Sequence, residues 1–130
     1  MRTIVFDFDG VIHRGYDGWK DGTIYGEIDI ELLDFIKDLI KEDYYITISS
    51  NRPAQDIVDY FNQHPELGME GYTFYNRDTT ENKFRIDNTY IGVTNQKAIG
   101  ILYVDDRGFR YNRKKSTYSN IKEIRKLIWD

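Results

Sequence analysis

The feature that most constrains the fold is an alternation of short apolar runs with longer segments of helical periodicity. Apolar and β-branched residues dominate 2–8, 44–49, 90–94, 101–104 and, more briefly, 109–111. Apolar side chains recur at helical spacing over 29–41, 53–61 and 119–129. This order predicts an α/β fold with a largely parallel sheet covered by helices. In such sheets, ligands bind beyond the carboxyl ends of the strands.

Capping residues and prolines predict where the first two helices begin and end. Asp29 is suited to the N-cap of the first helix. Pro53 suits the first turn of the second helix, where its missing N–H is not needed. Pro65 biases His64 away from helical geometry and so ends that helix.

Two segments predict turns rather than regular elements. Residues 10–26 contain five glycines and two Asp-Gly pairs, which indicates a loop followed by a small hairpin. Residues 71–75 and 84–87 are predicted to pair as a second hairpin around the polar turn 76–82.

Size and composition narrow the class of protein. A chain of 130 residues favours one domain, spanning 1–130. The sequence has no cysteine, which excludes disulfides and thiolate zinc sites and agrees with a cytoplasmic location. A net charge of −4 argues against broad attraction to nucleic acid. No segment approaches the roughly 20 apolar residues needed to cross a bilayer, so we expect no membrane association.

Chemically capable side chains follow four of the predicted strands. In chain order they are Asp7 and Asp9, then Ser49, Ser50, Asn51 and Arg52, then Lys97, and finally Asp105 and Asp106. Several carboxylates cannot crowd together in the ionised form without a cation, because like charges disfavour one another. Mg²⁺ resolves that conflict, since it takes one or two carboxylates together with phosphate oxygens. A carboxylate in line with phosphorus can attack it, and a second carboxylate nearby can transfer the proton.

These motifs resemble those of the haloacid dehalogenase (HAD) superfamily. The segment Asp7-Phe8-Asp9-Gly10-Val11 resembles the first HAD motif, and Ser50-Asn51-Arg52 resembles the second. Lys97 is similar to the third motif, and the pair Asp105-Asp106 is similar to the fourth. The motifs occur in family order over essentially the whole chain, and a closer resemblance is to the small capless HAD-like phosphatases of bacteria and phages.

The resemblance implies a three-layer α/β/α Rossmann-like fold with strand order 5-4-1-2-3 and no large cap. Residues 12–28 would form the turn and flap that follow the first strand, and 68–88 would form a small insertion. The nearly open site would suit a bulky substrate. Alternatively, a neighbouring subunit in an oligomer would close the site.

The resemblance also implies roles for individual residues. Asp7 would be the nucleophile and Asp9 the acid and base. The phosphate would be bound by Ser50, Asn51, Lys97 and Gly10, and Mg²⁺ by Asp7, Asp9 through its backbone carbonyl, Asp106 and Asp105. Weaker candidates to face the substrate are Ser49, Arg52, His13 and Arg14. Two choices stay open, namely Ser49 or Ser50 at the phosphate and Asp105 or Asp106 at the metal.

The expected function is Mg²⁺-dependent hydrolysis of a phosphomonoester through an aspartyl-phosphate. The phosphorylated substrate would be a nucleotide or a bulkier molecule, such as a nucleic-acid end or a phosphoprotein. Two alternatives use similar residues: a receiver-like phosphoacceptor domain, and a catalytically weak phosphate-binding or regulatory module on the same fold.

Overall fold

Six parallel strands form one sheet at the centre of the protein. The computed structural model describes residues 2–79, 87–105, 109–112 and 114–129. In chain order the strands are β1 (Thr3–Asp7), β2 (Tyr45–Ser49), β3 (Thr73–Asn76), β4 (Tyr90–Thr94), β5 (Leu102–Asp105) and β6 (Phe109–Arg110). The helices are α1 (Ile30–Lys41), α2 (Ala54–Gln63) and α3 (Thr117–Trp129). The chain is therefore an α/β protein whose sheet is flanked by helices, consistent with the predicted Rossmann-like three-layer fold.

The strand order is β3-β4-β2-β1-β5-β6, which differs slightly from the predicted order. The five other strands correspond to the predicted ones and lie beside one another in the predicted order. The difference is the additional edge strand β3. The predicted hairpin of 71–75 with 84–87 is wrong for its first arm, because β3 pairs in parallel with β4, from Thr73 opposite Tyr90 to Asn76 opposite Val93. Most of its second arm, residues 84–86, lies outside the described residues.

Helix boundaries follow the local signals in the sequence. The Asp29 carboxylate caps α1, since its Oδ1 accepts the Leu32 N–H at 3.1 Å. Pro53 stands at the N-cap of α2, and the helix ends at Gln63, directly before His64 and Pro65. The closing helix begins two residues earlier than its periodicity predicts, at Thr117.

The main core lies on one face of the sheet. Alternate strand residues point toward it, including Ile4 and Phe6 of β1 and Ile46 and Ile48 of β2, and all four are buried. Residues of opposite parity, such as Val5, point to the other face. There the segment before β5 packs closely, because a Cβ on Gly100 would lie 2.8 Å from a Val5 methyl group.

Residues 10–29 form the flap, a loop that leaves the end of β1 and returns to α1. Its two arms run antiparallel, held by Gly15 N–H to Glu27 O at 3.0 Å and Asp29 N–H to Ile12 O at 2.9 Å. Neither arm is a strand, so the predicted hairpin is present only as this backbone pairing. A Cβ on Gly26 would lie 2.5 Å from the Gly15 carbonyl oxygen, so the close approach requires glycine.

In the described ranges, no helix is both long and apolar enough to cross a membrane.

Candidate functional site

The carboxyl ends of four neighbouring strands lie side by side. Asp7 is in register with Ser49, and Ser49 is in register with Thr94. On the other side of β1, Phe6 pairs with Val104, which places Asp105 next to Asp7. Neighbouring strands are about 4.8 Å apart, so the ends of β1, β2 and β5 form one compact row.

Strand pleating directs three of these side chains to the same face. Asp7, Ser49 and Asp105 have the parity opposite to the core residues of their strands. They line a cavity of about 560 Å³, here called the phosphate cavity, at the sheet's carboxyl edge. Its other polar walls are Ser50, Asn51, Asn95, Gln96 and Lys97. The fold thus brings most of the predicted phosphate-binding residues together with Asp7 and Asp105.

Asp9 lies outside the phosphate cavity, in an adjacent cavity of about 490 Å³, here called the flap cavity. Its carboxylate is held from two directions. Arg52 Nε donates to both carboxylate oxygens, at 2.9 and 3.0 Å, and His13 Nδ1 lies 2.8 Å from Oδ1. The Asp9 side chain is only 17% exposed, so these contacts fix its orientation beside Asp7.

His13 does not face a substrate, contrary to the prediction. It is fully buried, and its Nε2 accepts the Gly26 N–H at 2.9 Å. Because Nε2 is an acceptor, Nδ1 must carry the proton of the neutral ring, and it donates to Asp9. His13 is therefore a positioning residue that joins Asp9 to the base of the flap.

The two arginines have structural partners, and Arg52 is at the same time a wall of the flap cavity. Arg52 is 1% exposed, and besides Asp9 it donates to the Gly22 carbonyl at 2.7 Å. Arg14 donates to Thr117 Oγ1 at 2.8 Å and to the N-cap carboxylate Asp29 at 3.2 Å. Their sequence positions near the motifs gave no indication of these distant partners.

Gly10 has a different role from the one predicted. Its N–H donates to the His13 carbonyl at 3.0 Å, so it is not directed at a phosphate. Its φ of +83° lies in the left-handed region that glycine tolerates best. Gly10 turns the chain sharply after Asp9 so that His13 can return to that carboxylate.

The two serines have different partners. Ser49 Oγ donates to the Gln96 carbonyl at 3.1 Å, which ties it to the loop that carries Lys97. Ser50 Oγ accepts the Arg52 N–H at 3.2 Å, which leaves its own hydroxyl proton for another acceptor. Of the two serines predicted as alternatives at a phosphate, hydrogen bonding therefore favours Ser50 over Ser49.

Lys97 stands on a loop fixed by residues that sequence reasoning did not single out. Asp78 accepts from Thr94 Oγ1 at 2.5 Å and from the Asn95 N–H at 2.8 Å. Tyr103 donates its hydroxyl to the Ala98 carbonyl at 2.7 Å. No local pattern marks either residue. The partners of Asp78 lie at the end of β4, and the partner of Tyr103 lies five residues before it, ahead of β5.

The donor chemistry at the phosphate cavity fits Mg²⁺. Asp7 and Asp105 offer carboxylate oxygens from adjacent strand ends, and Mg²⁺ commonly takes one or two carboxylates. Asp106 lies outside the described residues, and within the described part of the chain no cluster of three or more acidic or histidine side chains is arranged for a metal. The Asp9 side chain is engaged by Arg52 and His13, which leaves its backbone carbonyl as the predicted ligand.

The chain matches no protein-family model, no curated protein and no solved structure. The resemblance to the HAD superfamily therefore stays a prediction that its four motifs carry.

Proposed function

We propose that this protein is a Mg²⁺-dependent phosphomonoester hydrolase of the HAD type, with Asp7 as the nucleophile. The observation that carries the proposal is the convergence of Asp7, Ser50, Lys97 and Asp105 on one cavity at the carboxyl edge of the sheet. A nucleophilic carboxylate, a hydroxyl donor, an ammonium group and a second carboxylate are the groups that phosphoryl transfer needs.

In the first step, a carboxylate oxygen of Asp7 forms a bond to phosphorus while the bond to the leaving oxygen breaks. Asp9, in the protonated form that the second step regenerates, gives its proton to that leaving oxygen, and the carboxylate that remains is the form that Arg52 and His13 hold. Ser50, Asn51 and Lys97 bind the equatorial phosphoryl oxygens, where charge accumulates. In the second step, Asp9 takes a proton from water, whose oxygen attacks the aspartyl-phosphate and releases phosphate and free Asp7.

Asp7 and Asp105, with Asp106 and the Asp9 carbonyl, would hold Mg²⁺. When bound, the ion neutralises the charge of the transferring oxygens and lets neighbouring carboxylates coexist in the ionised form. The chain's own contribution is positioning, since Asp7 stands at the end of a central strand and Asp9 is clamped by Arg52 and His13.

The test is turnover of p-nitrophenyl phosphate with and without Mg²⁺. We expect activity with the ion, loss of activity with a chelator, and no activity in Asp7→Asn. Asp17→Asn is the matched control, because Asp17 is an exposed flap carboxylate outside both cavities. Full turnover by Asp7→Asn would refute the assignment of the nucleophile.

Acid quench and peptide mapping should locate phosphate on Asp7 during turnover. A long-lived phosphoaspartate without turnover would instead indicate a receiver-like domain. Phosphate binding without either would indicate the catalytically weak module.

A further inference from the structure

The phosphate cavity and the flap cavity share three walls. Asp7, Ser50 and Asn51 line both. Lys97 and Asp105 line only the phosphate cavity, whereas Asp9 and Arg52 line only the flap cavity. A phosphoryl group bound at Asp7 therefore lies where the two cavities meet.

This division gives the substrate a direction. The leaving oxygen must lie within reach of the group that protonates it, and in the proposed mechanism that group is Asp9. Because Asp9 lines the flap cavity, the leaving group extends into that cavity and away from Lys97. The rest of the substrate consequently meets the flap.

The flap supplies two aromatic walls, Tyr16 and Trp19. The Arg52 guanidinium carbon lies 5.0 Å from the centre of the Trp19 ring, so it covers one face. The far edge of the indole packs over Gly22, where a Cβ would stand 3.5 Å from Cη2. Trp19 is nevertheless 58% exposed and lines the flap cavity, so a large part of the ring is accessible to a ligand there.

Arg52 is held by Asp9 and by the Gly22 carbonyl, so the support beneath Trp19 is rigid. Ordering a large exposed side chain on a glycine-rich loop costs conformational entropy, which the contacts of Trp19 with Arg52 and Gly22 offset. An indole that is supported by Arg52 and still more than half exposed is suited to stacking on a flat ring.

We propose that Trp19, with Tyr16 beside it, stacks on the base of a nucleoside monophosphate whose phosphate lies at Asp7. This inference rests on the proposed function and names its substrate class. A mononucleotide fits better than a longer nucleic acid, because the chain has a net charge of −4. The flap cavity, at about 490 Å³, has room for a nucleoside.

The first experiment compares adenosine 5′-monophosphate with ribose 5-phosphate, which lacks only the base. Stacking on one aromatic side chain contributes about ten- to a hundredfold in affinity. In Trp19→Ala we expect kcat/KM for the nucleotide to fall by about that factor, mainly through KM. Ribose 5-phosphate should change by less than about twofold, and Trp19→Phe should keep most of the preference. Tyr118→Ala is the control, since Tyr118 is an exposed aromatic on α3.

An equal loss on both substrates would overturn the proposal, because it would mean that Trp19 serves only to hold Arg52. Equal kcat/KM of the wild-type protein on the two substrates would also overturn it. So would a 5′-phosphorylated oligonucleotide that is turned over far better than the mononucleotide, since the substrate would then be a nucleic-acid end.

A second measurement does not depend on turnover. Trp129 is the other of the chain's two tryptophans, so Trp129→Phe leaves Trp19 as the only indole fluorophore. Adenosine 5′-monophosphate should quench this fluorescence, and ribose 5-phosphate should not. Quenching without turnover would support stacking and refute the phosphatase, whereas turnover without selective quenching would refute stacking alone.

Discussion

The buried pair of Arg52 and Asp9 allows a quantitative test of how the site is built. Arg52 is 1% exposed and its Nε lies 2.9 and 3.0 Å from the two Asp9 oxygens. Removing one partner of a buried pair costs about 3–5 kcal/mol, because the other charge stays buried without compensation. Asp9 is 17% exposed and keeps its His13 contact, so we expect Arg52→Met to cost about 3 kcal/mol.

The same substitution in an Asp9→Asn background should cost much less. The neutral amide needs no counter-charge, so only the hydrogen bond to Gly22 and the packing on Trp19 are lost, about 1 kcal/mol. The double-mutant cycle should therefore give a coupling of about 2 kcal/mol, measured by urea unfolding at neutral pH. If Arg52→Met lowers the free energy of unfolding equally in both backgrounds, the side chains of Arg52 and Asp9 are not coupled, and Arg52 does not hold the Asp9 carboxylate as described.

Three further predictions concern single positions. Lys97→Ala should lower kcat on p-nitrophenyl phosphate by at least about 100-fold, because it removes charge stabilisation at the phosphoryl oxygens, whereas Lys114→Ala, at an exposed turn, should leave kcat within about twofold. Ser50→Ala should raise KM for phosphate esters more than Ser49→Ala, whose hydroxyl already donates to a backbone carbonyl; the reverse order would exchange their roles. Burial raises the pKa of the Tyr111 phenol above its ordinary value of about 10. The unfolded chain therefore loses this proton first as pH rises, so the contribution of the Tyr111 phenol to the free energy of unfolding is complete below about pH 10 and is lost above it. In urea unfolding, the stability of Tyr111→Phe should therefore fall less steeply with alkaline pH than that of the wild-type protein.

The parts of the fold that sequence predicted are those governed by local chemistry. Apolar periodicity and the Asp29 cap placed α1 within one residue of its observed start. The strand β3 was misassigned because a parallel partner 17 residues away leaves no turn signal between them. A hairpin needs only a nearby turn, so the local signals in the sequence favour a hairpin.

The same distinction applies to the candidate site. Placement at strand ends follows from topology, so Asp7, Ser50 and Asp105 were predicted to meet and do line one cavity. Orientation depends on contacts between residues far apart in sequence. Arg52 stands 43 residues from Asp9, and nothing in the motif indicates that its side chain is held by that carboxylate.

Asp9 is where the fold and the proposed chemistry depend on each other. One carboxylate oxygen accepts from His13, whose other nitrogen accepts from Gly26 at the base of the flap. The same carboxylate accepts from Arg52, which reaches the flap a second time at Gly22. The orientation of the Asp9 carboxylate, the proposed proton-transfer group, and the position of the flap are therefore set by one hydrogen-bonded network. Tyr16 and Trp19 of the flap also line the flap cavity. In the proposed mechanism, a leaving group that shifts the flap would therefore shift Asp9 as well, and selectivity for the leaving group would become selectivity in proton transfer.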